Sequence, residues 1–398
     1  MPHNYTYLII GGGMTAAAAV EGIRQADPDG SIGLIGAEAH PPYKRPPLSK
    51  GLWKGKPLES IWCQTEQRGV TLHLGRTVRS LDPPRKQVTD DQGTVYTYAK
   101  LLLATGGTPR HLPFGGDRII YFRTLDDYQQ LRALTELGRR FAVIGGGFIG
   151  SEIAAALAMN GKDVVLTFPE DGIGSRLFPA DLAGFLNDFY RQKGIDVRAG
   201  ERAIGLEVRD HRLALTVRGA TATDVRVLEV DGVVAGIGIE PNIDLARSAG
   251  LEVENGIVVD ASLRTSYPDI FAAGDVASFF NPTLNRRLRV EHEDNANTMG
   301  RTAGQAMAGR AVSYDHLPFF YSDLFELGYE AVGEVDSRLE TVADWKEPYR
   351  EGVVYYLRDG RVRGVLLWNV WEQVDAARRL IAEPGPFRPE DLQGRLPA

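Results

Sequence analysis

The chain has 398 residues, 43% of them hydrophobic and 24% charged, the make-up of an ordinary globular protein with room for two or three domains. A net charge of -7 excludes a general attraction to nucleic acid or anionic membranes, and the local basic cluster Arg286-Arg287-Leu288-Arg289 reads as solvated surface. The single cysteine, Cys63, excludes an internal disulfide; the opening MPHNYTYLII reads as the start of a strand rather than a leader, and no run approaches the ~18 apolar residues of a membrane span. A soluble, untargeted, cytoplasmic protein is therefore expected. Its 45 glycines are well above the roughly 7% of average usage, which points to tight turns and close backbone approach to a ligand.

In chain order, Tyr5 to Ile10 reads as a short buried strand. It enters Gly11-Gly12-Gly13-Met14-Thr15-Ala16 and an alanine-rich helix from Ala16 to Arg24. Strand, glycine turn and helix in this order form a dinucleotide fingerprint, here with alanine at its last position. Gly11 makes the turn, Gly13 lets backbone approach a pyrophosphate, and the small Ala16 lets helix and strand pack closely. The helix N-terminus then offers free amides to the phosphates. The next strand, Ser31 to Gly36, ends near Glu38, 25 residues after Gly13, where a carboxylate can accept from both ribose hydroxyls. Leu101 to Gly107 is a further strand ending in the small-residue turn Ala104-Thr105-Gly106.

The pattern then repeats. Phe141 to Ile144 is a strand, and Gly145-Gly146-Gly147-Phe148-Ile149-Gly150 completes a full G-x-G-x-x-G before a helix from Ser151 to Met159. Asp163 to Phe168 is the next strand and ends at Glu170, 23 residues after Gly147. Two such copies, each with its acidic partner, are a far stronger signal than one. Downstream, Ile270 to Ala272 is a strand ending in Ala273-Gly274-Asp275, which suggests a discontinuous first domain that the second interrupts. From about Ser313, β-rich runs (Ala331 to Val335, Val353 to Leu357, Val362 to Trp368) lead to a helix from Val370 to Ile381 and a proline-marked tail.

The order of these motifs resembles the pyridine nucleotide-disulfide oxidoreductase superfamily. Pro42-Tyr43-Lys44-Arg45-Pro46-Pro47-Leu48-Ser49-Lys50 and Val290-Glu291-His292-Glu293-Asp294 resemble apoptosis-inducing factor and its bacterial relatives. Tyr321-Ser322-Asp323-Leu324, Gly328 to Gly333, Tyr356 to Asp359 and Leu367-Trp368-Asn369 extend the resemblance over nearly the whole chain. It implies an α/β fold with two Rossmann-like domains and a mixed α/β C-terminal domain. The expected boundaries are 1–116 with 245–311 for an FAD-binding domain, 117–244 for an NAD-binding domain, and 312–398 for the rest. Differences from the family pattern are that the mitochondrial targeting region and the long C-terminal insertion of animal members are absent, the latter reduced to Thr341 to Glu351. Tyr321 stands in place of tryptophan. Glu252 matches an acidic residue of the animal dimer interface, with Val258 and Ser266 where its arginine partners would be, so a homodimer stays open but an apoptotic role is not carried over.

The resemblance also implies roles. Lys50 would stabilise the anionic reduced flavin, Glu152 would hold that lysine, and His292 and Tyr321 would lie by the flavin. Gly11, Gly13, Thr15, Ala16, Glu38, Arg45, Val78, Thr105, Gly106, Arg123 and Asp275 would bind FAD. Gly145, Gly147, Phe148, Ile149, Gly150, Glu170, Arg176, Gly238, Glu330 and Asn369 would bind NADH. Glu170 repels a 2′-phosphate, so NADH is expected over NADPH, although Arg176 could pair with that phosphate. No histidine or cysteine cluster has metal-ligand spacing. The leading function is hydride transfer from NADH to FAD and then to a quinone-like or other soluble acceptor, with slow turnover and a long-lived charge-transfer complex. The alternatives are a reductase feeding the ferredoxin or rubredoxin of an oxygenase, and a redox-gated interaction module.

Overall fold

The computed structural model describes residues 3–397, which form a mixed α/β protein of two compact units. The first gathers Met1–Lys44, Leu58–Thr108 and Glu240–Phe320; the second gathers Arg45–Pro57, Pro109–Ile239 and Tyr321–Ala398.

At the centre of the first unit lies a seven-stranded sheet. The strand His3–Ile10 is flanked by Ile32–Gly36 on one side and Val95–Leu103 on the other, both parallel to it. Ile270–Ala272 then lies parallel to Val95–Leu103, so a segment from far along the chain completes the same sheet. These strands are apolar on both faces, as a parallel sheet covered on both sides requires. Strand order reverses direction at His3–Ile10, and Ile10, Gly36, Leu103 and Ala272 all end at one edge of the sheet. That crevice is where open α/β sheets receive ligands.

The fingerprint helix, Met14–Ala26, packs against the helix Glu293–Met307 with almost no side chain between them. A Cβ placed at Gly22 would collide with the carbonyl oxygen of Arg301, one at Gly300 with that of Thr15, and one at Gly304 with that of Ala19. Three glycines thus let two backbones touch.

The second unit contains a five-stranded parallel sheet in which Arg140–Ile144 is flanked by Asp163–Phe168 and Gly232–Ala235. Beside it, Arg202–Arg209, Arg212–Arg218 and Val225–Val230 make an antiparallel sheet that the sequence patterns did not announce. Leu327–Gly333, Arg361–Trp368, Glu351–Arg358 and Glu340–Glu347 form an antiparallel meander backed by the helix Val374–Ala382. The expected helix from Val370 begins late because Asn369 and Glu372 both take left-handed backbone, at φ 51° and 63°, which breaks helical continuation. The short stretch from Thr341 is itself a strand of this sheet.

The basic cluster at Arg286–Arg289 is only partly solvated: Arg286 is exposed, but the other two arginines are engaged. Arg287 donates to the carbonyls of Ser278 and Val259, and Arg289 is 11% exposed, paired at 2.6 Å with Glu291.

Adding a side chain at Gly304 should cost about 2 kcal/mol or more, because two helix backbones would have to separate. Gly184 sits exposed within the helix Ala180–Gln192 with open space around a Cβ, so Gly184→Ala should add about 0.5–1 kcal/mol. Urea midpoints of Gly304→Val and Gly184→Ala, moving in opposite directions, check both.

Candidate functional site

The first cradle is built from the strand ends of the first unit. Gly11 has φ 120°, and a Cβ there would strike the carbonyl oxygen of Ala104, so its turn lies directly against the Ala104-Thr105-Gly106 segment. Around Gly13, which precedes the helix, a Cβ would meet nothing within 4 Å. The face presented to a ligand is therefore bare backbone at a 13-residue helix N-terminus. Ala16 is fully buried, and a Cβ on Gly274 would hit the side chain of Thr15, so Thr15 and the Gly274-Asp275 turn are adjacent. Thr105 donates to the Asn242 carbonyl and Asn242 donates back to that of Thr105, each at 2.9 Å, locking the turn. Glu38, half-buried past the end of Ile32–Gly36, accepts from the Tyr43 hydroxyl at 2.5 Å. Val78 is buried on the strand Val78–Asp82. Open glycine backbone, a helix N-terminus and a carboxylate fit the pyrophosphate and adenosine ribose of a dinucleotide.

His292 ends the strand-like segment before Glu293–Met307 and caps that helix with extended backbone. Its ring stacks on Phe320 at 4.3 Å between centroids. Burial pushes its pKa down to about 4, against the opposing pull of Asp275 and Asp294, so at neutral pH the imidazole is uncharged. Arg289 donates to the Asp275 carbonyl at 3.1 Å, which ties the Gly-Asp turn to the segment carrying His292.

The second unit repeats the cradle. Gly145 has φ 113°, a Cβ on Gly150 would collide with the Gly145 carbonyl oxygen, and around Gly147 there is again open space. Phe148 and Ile149 open the helix Phe148–Met159 and are half-buried. Glu170 lies past the end of Asp163–Phe168, and Arg176 is paired with it at 2.6 Å. Gly238 has φ 93°, and its carbonyl accepts from the Arg110 amide at 2.9 Å. Glu330 carries a buried carboxyl oxygen with no hydrogen-bond partner, and burial, then nearby Glu372, raises its pKa. Such an orphan is the kind of group a ligand amide satisfies. Together these residues fit a second dinucleotide. Asn369, by contrast, spends its side chain on the chain itself, accepting from the Gly328 amide and donating to the Arg350 carbonyl.

The same unit brings Lys50 and Glu152 together. Glu152 lies two residues beyond Gly150 in the fingerprint helix, with a side chain only 3% exposed. Lys50 sits between two short 3-10 turns, Pro46–Leu48 and Gly51–Lys54, held down by Trp53, whose indole donates to the Leu48 carbonyl and packs edge-on against Tyr128. Its ammonium donates to Glu152 Oε1 at 2.5 Å and lies 5.4 Å from the centroid of the Tyr321 ring. Two further donors, both missed from sequence, complete the carboxylate: Ser322 to Oε1 and Ser49 to Oε2, each at 2.5 Å. Both serines stand beside residues the motifs had singled out, but nothing in those strings says that they meet. Arg45 donates to the Arg123 carbonyl at 2.8 Å, so these two are adjacent in this unit as well.

Two sheets, one mixed and one parallel, each carry parallel strands that end in an open glycine cradle beside an acidic residue, the arrangement of a two-dinucleotide fold. The chain belongs to the pyridine nucleotide-disulphide oxidoreductases, whose family model matches residues 5–300. The C-terminal model of mitochondrion-associated apoptosis-inducing factor matches 303–348 and 343–383. A 5,5'-dehydrodivanillate O-demethylase ferredoxin reductase subunit from a Sphingobium species is 36% identical over 96% of this chain and 94% of its own length. Mitochondrial apoptosis-inducing factor 1 of Dictyostelium discoideum is 34% identical over 95% of this chain and 78% of its own. The crystal structure of the covalent putidaredoxin reductase–putidaredoxin complex matches with a TM-score of 0.89 and 30% identity, covering 98% of this chain and 95% of that one. The protein is thus an NAD(H)-dependent flavoprotein oxidoreductase of the apoptosis-inducing factor and ferredoxin reductase group, using FAD. It works without a redox disulfide: Cys63 is the one cysteine, and burial pushes its thiol up to about 11. Among the described residues, no helix is long and apolar enough to cross a membrane, and no cluster of histidine, cysteine and carboxylate could hold a metal ion.

Gly147 has φ -85°, outside the left-handed region, and a Cβ there meets open space. Gly147→Val should stay within about 0.5 kcal/mol of the parent in stability, yet lose NADH binding by calorimetry. His292 gives a pH test. Between its unfolded value of 6.5 and about 4, the unfolded chain binds a proton that the folded chain refuses, so stability falls as pH falls through that window. Chemical denaturation of His292→Gln should show a flatter decline there than the parent.

Proposed function

We infer that the protein takes electrons from NADH through FAD to a quinone-like or other soluble acceptor, in the manner of apoptosis-inducing factor, with slow turnover. The observation that carries this reading is the buried Lys50–Glu152 pair next to the second cradle. Bound FAD supplies the centre that accepts two electrons from NADH and passes them on. Lys50 places a fixed positive charge for the anionic reduced form, and Glu152 keeps that charge from swinging into solvent. Tyr321 lies near the same ammonium, and its ring face restricts where the ammonium can sit. His292, uncharged at neutral pH and stacked on Phe320, offers a flat uncharged ring to the flavin rather than a second charge. Arg45 and Arg123 would neutralise pyrophosphate.

The Glu170–Arg176 pair supports the choice of NADH. With Arg176 paired to Glu170 at 2.6 Å, a 2′-phosphate meets a carboxylate and competes with it for the arginine, whereas a ribose diol finds an acceptor. The identity with ferredoxin reductase subunits favours one second reading, a protein electron carrier as acceptor.

Anaerobic rapid mixing of the flavoprotein with NADH, followed by air, separates the two. A long-wavelength absorbance band that forms and survives oxygen supports the slow, apoptosis-inducing-factor-like reading. Immediate reoxidation by an added iron–sulfur carrier, with saturation, moves the assignment to the carrier reductase. In the same assay Glu170→Ala should lower NADH selectivity over NADPH by about ten-fold, the worth of ~1.4 kcal/mol, by releasing Arg176.

A further inference from the structure

We propose that Ser322 is a positioning residue for Lys50: its hydroxyl grips the same Glu152 oxygen that Lys50 holds and so fixes where the ammonium stands. The inference rests on the reading that Lys50 serves the flavin.

The geometry leaves Ser322 little choice. Its side chain is fully buried on the strand Phe319–Leu324, 170 residues from Glu152 in the chain. A hydroxyl has one hydrogen, and a carboxylate only accepts, so that hydrogen is committed to Glu152 Oε1. Tyr329 also interacts with Ser322 and with the Glu152 carboxylate. Burial holds the Tyr329 hydroxyl protonated, and its ring is stacked on Trp368 at 5.7 Å and met edge-on by Phe178. Ser322, fixed on its strand, therefore holds Glu152, and Glu152 holds the flexible side chain of Lys50. Ser49 takes the other carboxylate oxygen. Without Ser322 the carboxylate keeps only Ser49 and Lys50, and it can turn about its own axis and carry the ammonium with it.

The test compares the FAD-loaded parent with Ser322→Ala and Ser322→Cys, the latter keeping most of the side-chain volume if the alanine variant folds poorly. The first readout is reductive methylation of Lys50, followed by peptide mass spectrometry. A several-fold faster labelling of Lys50 in either variant, at unchanged FAD content, is the expected result. Labelling at the parent rate in both overturns the inference. The second readout is the flavin midpoint potential by dye equilibration, with Lys50→Met as reference. A negative shift in Lys50→Met together with a smaller one in the Ser322 variants is the result expected if both readings hold. If labelling rises but Lys50→Met leaves the potential unmoved, the positioning role survives and the flavin role of Lys50 falls. If Lys50→Met moves the potential while the Ser322 variants match the parent in both readouts, the positioning role falls alone.

Discussion

Burying one carboxylate sets the terms for much of the second unit. Taking the Glu152 charge out of water costs several kcal/mol unless it is fully hydrogen-bonded. The chain meets that demand with an ammonium and two hydroxyls drawn from segments around residues 49–50 and 322, far apart in sequence. Those segments in turn need anchors. Trp53 is buried and takes an arginine, Arg132, over its ring, and the Asn160 side chain donates to the Trp53 carbonyl. Tyr190 and Tyr329, close to the same charge, stay protonated because burial and the Glu152 carboxylate both disfavour a second anion. A lysine on an otherwise short, irregular loop is thereby held by a helix of the core.

How much of this could be read from sequence depended on whether the feature was local. Both glycine fingerprints occupy a strand end, a turn and a helix start within a dozen residues, so their chemistry and spacing were legible together. The Glu170–Arg176 pair is six residues apart and was open to the same reading, though only the geometry gives the arginine a partner. Ser322 could not be found this way, because its meaning lies in a hydrogen bond across 170 residues. The antiparallel sheet at Arg202–Val230 is similar: its strands alternate weakly and two of its valines, Val225 and Val227, are exposed, so no clean apolar face marks it.

Two local readings held only in part, for instructive reasons. The helix ahead of Val374 was drawn from apolar spacing, which carries no information about the left-handed backbone at Asn369 and Glu372. The Arg286–Arg289 run looked like a charged surface by composition. Instead, strand pairing of Ala277–Asn281 with Arg286–Leu288 turns Arg287 back onto the Ser278 and Val259 carbonyls. Charge runs are normally solvated, but an arginine stem can lie along a sheet while its head finds carbonyls.

The glycine-mediated contact between Met14–Ala26 and Glu293–Met307 also bears on how the chain is made. During synthesis the fingerprint helix emerges early, and its partner helix emerges only after the whole parallel sheet around Arg140–Ile144 has left the ribosome. The second nucleotide fold can therefore assemble from contiguous chain, while the first must hold its apolar strands and an uncovered helix face until more than three hundred residues have been translated. Local contacts form quickly and distant ones late. A nascent chain stalled between the two helices would leave exposed the alanines of Met14–Ala26 that Glu293–Met307 covers in the folded protein.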